Sequence, residues 1–167
     1  FPQKVVSGQK SVVSTDNLIF TGNPVRPEIL TGSKQEGLKI TGFSGTRPVI
    51  LVTGGSQGAA ALNQAVAEQI DAMLAISDVI HLTGKGKAGA ETRAGYWKAE
   101  SVFAELPHLY AAADIVVTRG GAGALSELAA LSKMAIVVPL RGLAGDHQWK
   151  NATLLGEAGA IAMLPQE

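Results

Sequence analysis

The chain has 167 residues, enough for one ordinary domain with its own core, and its 14 Lys and Arg balance 14 Asp and Glu. With 46% hydrophobic and 17% charged residues it is no disordered polyelectrolyte, and it carries no basic excess for nucleic acid or an anionic membrane surface. Cysteine is absent, which excludes disulfides, thiolate catalysis and Cys-based zinc sites and fits a reducing interior, and no apolar run is long enough to span a bilayer. The opening Phe1-Pro2-Gln3 has neither a Met nor the features of a signal peptide, as expected of an excised piece.

Residues 1–45 read as an extended connector, rich in Ser and Thr, with turn signals at Asn23-Pro24 and Arg26-Pro27 and one strand from Asn17 to Thr21. From Thr46 onward, apolar runs of strand length alternate with Ala/Leu-rich helical stretches, which predicts parallel strands joined by crossover helices. Pro48 to Thr53 is a strand ended by Gly54-Gly55. A helix from about Ala59 to Ile76 sets Leu62, Val66, Ile70 and Leu74 on one face. Asp78 to Thr83 is the next strand, Thr92 to Glu100 is weakly helical, and Ser101-Val102-Phe103 is a short strand. His108 to Ala113 forms a brief helix before a strand from Ile115 to Thr118. A helix covers Ala124 to Leu131, and a strand from Ala135 to Val138 stops at Pro139. A helix from Gln148 to Glu157 has Gly159 as its stop, and Ile161 to Leu164 is the last strand. The expected fold is α/β, a doubly wound Rossmann-like parallel sheet over residues 46–167. Its ligands should sit beyond the carboxyl ends of the strands, where Gly54–Gly58, Gly84, Arg119–Ala124 and Leu140–His147 fall.

The most informative run is Asp114 through Glu127: a buried strand, a small-residue turn, and a helix whose second turn carries a carboxylate. A helix that starts after Gly and Ala offers bare N–H groups and a positive dipole end to a phosphate, here through Ala122, Gly123 and Ala124. Glu127, one turn further in, is placed to reach the paired hydroxyls of a ribose beside that phosphate. Together the two demands describe a nucleoside-diphosphate site.

Other candidates carry less. Gly54-Gly55-Ser56-Gln57-Gly58 suits close ligand approach, and equally a tight turn with Ser56 capping the helix; no Gly-Lys-Ser/Thr follows, so it is not a Walker loop. Gly84-Lys85-Gly86-Lys87-Ala88-Gly89 matches G-x-G-x-x-G, but it follows the second strand and opens a poor helix, so it reads as a surface loop. Around the next helix, Asp146 could cap, while Gln148 and Asn151 share one face, where amides suit sugar hydroxyls and also suit plain solvation. His147 has no partner set for a metal or a triad. Arg26 sits in a stiff turn and meets a phosphate only if the connector folds across the sheet rim. His81 reads as packed within its strand, and His108 as a helix-start residue.

Gly22-Asn23-Pro24-Val25-Arg26, Gly54 to Ala59, Leu62-Asn63, Ala113 through Glu127, Val138-Pro139, His147-Gln148 and Asn151-Ala152 occur in an order that resembles the MurG family. These are bacterial enzymes that transfer N-acetylglucosamine from UDP-N-acetylglucosamine to the lipid-linked muramyl-pentapeptide precursor of peptidoglycan. The resemblance covers nearly the whole chain from about Ile19. It implies a GT-B glycosyltransferase, of which this chain is the C-terminal, donor-binding domain plus a connector.

By the same resemblance Glu127 holds the ribose, the backbone of Ala122 to Ala124 meets the diphosphate, and Ser56 and Arg26 approach the phosphates. Gln148, His147 and Asn151 face the N-acetylglucosamine, and uracil lies near Phe103 to Leu106. The catalytic residues and the membrane-docking patch belong to an N-terminal domain outside this sequence. The fragment alone is therefore expected to bind donor without turnover, and the whole enzyme to sit on the cytoplasmic face of the cell membrane. No Asp-x-Asp occurs, so nothing in the sequence calls for a metal or cofactor beyond the UDP-sugar. The sequence departs from the family pattern at Gly120-Gly121, where extra glycine loosens the helix start, and at Met134, which replaces a frequent Pro. The alternatives are a related lipid or dolichol-pathway transferase and a stand-alone nucleotide-binding module, with a dinucleotide oxidoreductase third.

Overall fold

A computed structural model of the chain describes residues 22–55, 58–87, 93–142 and 144–166. The expected strand from Asn17 to Thr21 lies outside them. Residues 22–45 are not wholly extended: a 3₁₀ turn, Pro27–Thr31, leads into helix α1, Lys34–Thr41. Ser33 caps α1 by accepting a hydrogen bond from the Glu36 backbone N–H, and Gly42, at φ +73°, ends it. The first connector helix is thus written in a Ser-x-x-Glu start, which the sequence reading passed over. Gly37 of α1 lies against the backbone of His108, where a Cβ would stand 2.2 Å from the carbonyl oxygen.

The remaining elements alternate as expected. They are β1 Val49–Thr53, α2 Ala60–Ile76, β2 Asp78–Leu82, β3 Tyr96–Ala99, α3 Leu106–Ala112 and β4 Ile115–Thr118. They continue with α4 Ala122–Ala130, β5 Met134–Val137, α5 His147–Glu157 and β6 Ala162–Met163. Gly159, at φ +69°, follows the end of α5 as its stop signal predicts. The stretch read as weakly helical is corrected: strand β3 occupies its second half, and Ser101 to Phe103 is not a strand. Tyr96 and Trp97 decide this, since aromatic residues fit a pleated surface and Tyr96 is buried beside His81 of β2.

The strands form one parallel six-stranded sheet in the order β3-β2-β1-β4-β5-β6. From β1 the chain winds outward through α2 to β2; from β4 it winds the other way through α4 to β5. Right-handed crossovers therefore put α2 on one face and α4 on the other. The core follows: Leu62, Val66 and Ile70 of α2 pack on Val52 and Val79. On the opposite face Leu109, Leu125, Leu128 and Ala152 pack on Leu51, Ile80, Val116 and Val137. The winding reverses between β1 and β4, which opens a crevice at their carboxyl ends, the position where open α/β sheets bind ligands.

Candidate nucleotide site

At that crevice β4 ends in Thr118, and Arg119, Gly120 and Gly121 turn the chain into α4. Among the described residues no side chain caps α4, so the first-turn N–H groups of Ala122, Gly123 and Ala124 have no such partner there, and Ala122 and Gly123 are exposed. The dipole of α4 adds positive potential at the same point. Two neighbours hold this turn in place. The Asn151 side-chain amide donates to the Gly120 carbonyl at 3.1 Å, and a Cβ on Gly120 would stand 2.3 Å from the Gln148 carbonyl oxygen. Gln148 also accepts from the Leu140 N–H at 3.3 Å, so α5 braces the loops after both β4 and β5.

Arg119 points inward. It is 6% exposed, its Nη1 donates to the Val138 carbonyl at 2.9 Å, and its Nε has no hydrogen-bond partner among the described residues. Burial pulls its pKa below the ordinary value. The side chain ties the end of β4 to the end of β5. It also lines an apolar cleft of about 290 Å³ on the α2 face, away from the polar rim.

One turn into α4 stands Glu127, its side chain 14% exposed. Arg26 reaches it from the segment ahead of α1: Nε and Nη2 donate to Oε1 at 3.1 and 2.9 Å. The Arg26 guanidinium also lies 4.9 Å from the centroid of the exposed Phe103 ring. The Asn23 amide donates to Ser126 Oγ at 3.1 Å, so residues 22–26 cross the rim beside α4. From α3, the Tyr110 hydroxyl faces Glu127 Oε2 at 3.5 Å. The structure thus brings Arg26, Glu127 and the α4 N-terminus into one region, with Asn151 and Gln148 on its other side. His147 is the first residue of α5 and is exposed. Ser56 and Gln57 lie outside the described residues.

Asp146 does not cap α5 with its side chain. It sits at φ +58°, and its carboxylate instead accepts the Gly142 N–H, a turn that short Asp side chains tolerate. Of the literal G-x-G-x-x-G run, Lys85, Gly86 and Lys87 are exposed, the first two in a turn, while residues 88–92 lie outside the described part. Among the described residues no group of three His, Asp or Glu side chains could hold a metal ion.

Two histidines have packing roles. His108 accepts the Ser33 N–H at 3.0 Å. His81 is 3% exposed, with Nδ1 2.8 Å from the Tyr96 hydroxyl and Nε2 3.0 Å from Asn63 Oδ1. Asn63 spends its amide N–H on the Thr83 carbonyl, so Nε2 of His81 carries the ring proton and Nδ1 accepts from Tyr96. The sequence reading missed Tyr110 and the Phe103 contact with Arg26. A tyrosine on a buried helix face carries no mark of what its hydroxyl meets.

Residues 49–167 match the model of the glycosyltransferase family 28 C-terminal domain. The chain belongs to that family. Among its relatives, a protein of Lachnoclostridium phytofermentans is 44% identical over 156 residues, covering 91% of this chain and 44% of the relative. One from Shouchella clausii is 42% identical over 149 residues, covering 87% of this chain and 42% of the relative. Both bear the name UDP-N-acetylglucosamine--N-acetylmuramyl-(pentapeptide) pyrophosphoryl-undecaprenol N-acetylglucosamine transferase. The chain thus spans less than half the length of these relatives. In fold it is similar to the crystal structure of Acinetobacter baumannii MurG, with a TM-score of 0.63 and 25% identity over 82% of this chain and 41% of that one. The structural neighbours are GT-B glycosyltransferases, so the family 28 domain has the expected Rossmann-like α/β fold.

Proposed function

We propose that this family 28 domain binds UDP-N-acetylglucosamine as the donor half of an inverting N-acetylglucosaminyltransferase that acts on the lipid-linked muramyl-pentapeptide precursor of peptidoglycan. One observation carries the reading: the uncapped N-terminus of α4 and the half-buried Glu127 lie one helical turn apart at the switch point of the sheet. The names of the relatives supply the sugar and the acceptor.

In this reading the diphosphate lies on the N–H groups of Ala122, Gly123 and Ala124, and Glu127 accepts the ribose hydroxyls. Ser56 and Arg26 approach the phosphates, while His147, Gln148 and Asn151 meet the sugar. Gln148 uses its Oε1 and Asn151 its Nδ2 within the protein, which leaves a donor on the first and an acceptor on the second for sugar hydroxyls. When the acceptor hydroxyl attacks the anomeric carbon, the bond to UDP breaks and charge grows on the diphosphate. Fixed N–H dipoles and the Arg26 charge stabilise that charge without a metal. The catalytic residues and the membrane-facing surface belong to a partner domain, which places the whole enzyme on the cytoplasmic side of the cell membrane and leaves this chain alone inactive.

A thermal shift measurement tests the reading. UDP-N-acetylglucosamine at one hundred times its Kd should stabilise the chain by about 2.7 kcal/mol, or about 5–10 °C in Tm. UDP-glucose and UDP-galactose should do so only at higher concentration. No shift with any UDP-sugar contradicts the proposal.

A further inference from the structure

The surroundings of Glu127 give work to a side chain outside every motif above. Tyr110 of α3 is 2% exposed, and its hydroxyl faces Glu127 Oε2 at 3.5 Å, its one hydrogen bond among the described residues. Burial, then the charge and hydrogen bond of Glu127, raise the phenol's pKa against the opposing pull of Arg26, so the group stays protonated and able to donate. Phenylalanine would fill the same space, yet the chain buries a hydroxyl here and turns it toward a carboxylate. The other oxygen, Oε1, takes both Nε and Nη2 of Arg26. The two oxygens of Glu127 are therefore approached by groups on different elements. That matters because the terminal torsion of a free glutamate is broad, and a carboxylate that grips two vicinal hydroxyls must keep its plane fixed.

We infer that Tyr110 is a positioning residue: through Oε2 it sets the plane of the Glu127 carboxylate, and so makes the site select a ribonucleoside diphosphate over its 2′-deoxy counterpart. The inference rests on the reading that Glu127 holds the pentose hydroxyls.

Calorimetric titration of the chain with UDP and with 2′-deoxyuridine diphosphate separates the two layers. Wild type should prefer UDP. Tyr110→Phe, which keeps the ring in place, should weaken UDP by about three- to tenfold while leaving the deoxynucleotide nearly unchanged, the loss expected for one hydrogen bond of ordinary net strength. Added to Glu127→Gln, the same substitution should change nothing further, because the two act as one unit. Equal weakening of both nucleotides by Tyr110→Phe, or an unchanged preference, overturns the role of Tyr110 if Glu127→Gln still abolishes that preference. A wild-type chain that binds the two nucleotides alike, or a Glu127→Gln variant that still discriminates, overturns the ribose reading and the inference with it.

Discussion

Glu127 was legible in the sequence because a lone carboxylate in an Ala/Leu-rich helix, one turn past a glycine run, has few structural reasons to be there. In the fold it is neither solvated nor buried in isolation; Arg26 and Tyr110 approach its two oxygens. The Arg26 pair itself adds little stability, since the Arg26 side chain is 36% exposed and solvent screens it. Its value is local: it keeps the cation at the rim. Glu127→Ala should therefore leave the fold intact and weaken UDP-sugar binding by about 1–3 kcal/mol, the cost of losing a charged hydrogen-bond partner. Calorimetry reads this directly, and unchanged affinity removes Glu127 from the site. Arg26 itself was recognisable only by motif order, since its approach to Glu127 depends on a chain path that no local pattern encodes.

Elements were legible where a period ran long enough. The four-residue spacing of Leu62, Val66 and Ile70 marked α2, and all three are buried. Strand β3 was misread because four residues are too few to show alternation, and its pairing with β2 is a tertiary fact. Helix α1 was missed because it is short and polar, and its stability comes from Ser33 and from docking on α3. The close approach of the turn before α4 to α5 was equally invisible, although Gly120 records it. Gly120→Ala would press a methyl group on the Gln148 carbonyl, which stands 2.3 Å from the Cβ position. A denaturant midpoint should show a loss of about 1–3 kcal/mol, as overpacking usually costs. UDP affinity should fall with it, because the same turn presents the Ala122 and Gly123 N–H groups.

The α2–β2–β3 side of the sheet makes a pH prediction. Burial, then the charge of Lys98, hold the His81 pKa at about 4 instead of 6.5. The unfolded chain thus binds a proton that the folded one refuses between these values. The contribution is complete above pH 6.5 and is lost as pH falls toward 4, a decline on the order of 2–3 kcal/mol. His81→Gln should flatten Tm against pH across that window, and an unchanged slope would show that other groups carry the acid sensitivity.

On the scale of the whole molecule, strand order does what no single residue can. Reversal of winding between β1 and β4 brings the α4 N-terminus, the rim segment 22–26 and the start of α5 to one crevice, although they are far apart in the chain. That the sheet is parallel and doubly wound followed from alternating apolar strands and helices; that Arg26 folds onto Glu127 did not. The central claim is a nucleoside diphosphate seated on α4. A crystal structure of the chain with UDP bound tests it most directly. The account predicts phosphate oxygens within hydrogen-bond distance of the Ala122, Gly123 or Ala124 N–H groups, and ribose hydroxyls on Glu127. UDP bound elsewhere on the sheet, with the α4 N-terminus and Glu127 untouched, would contradict it.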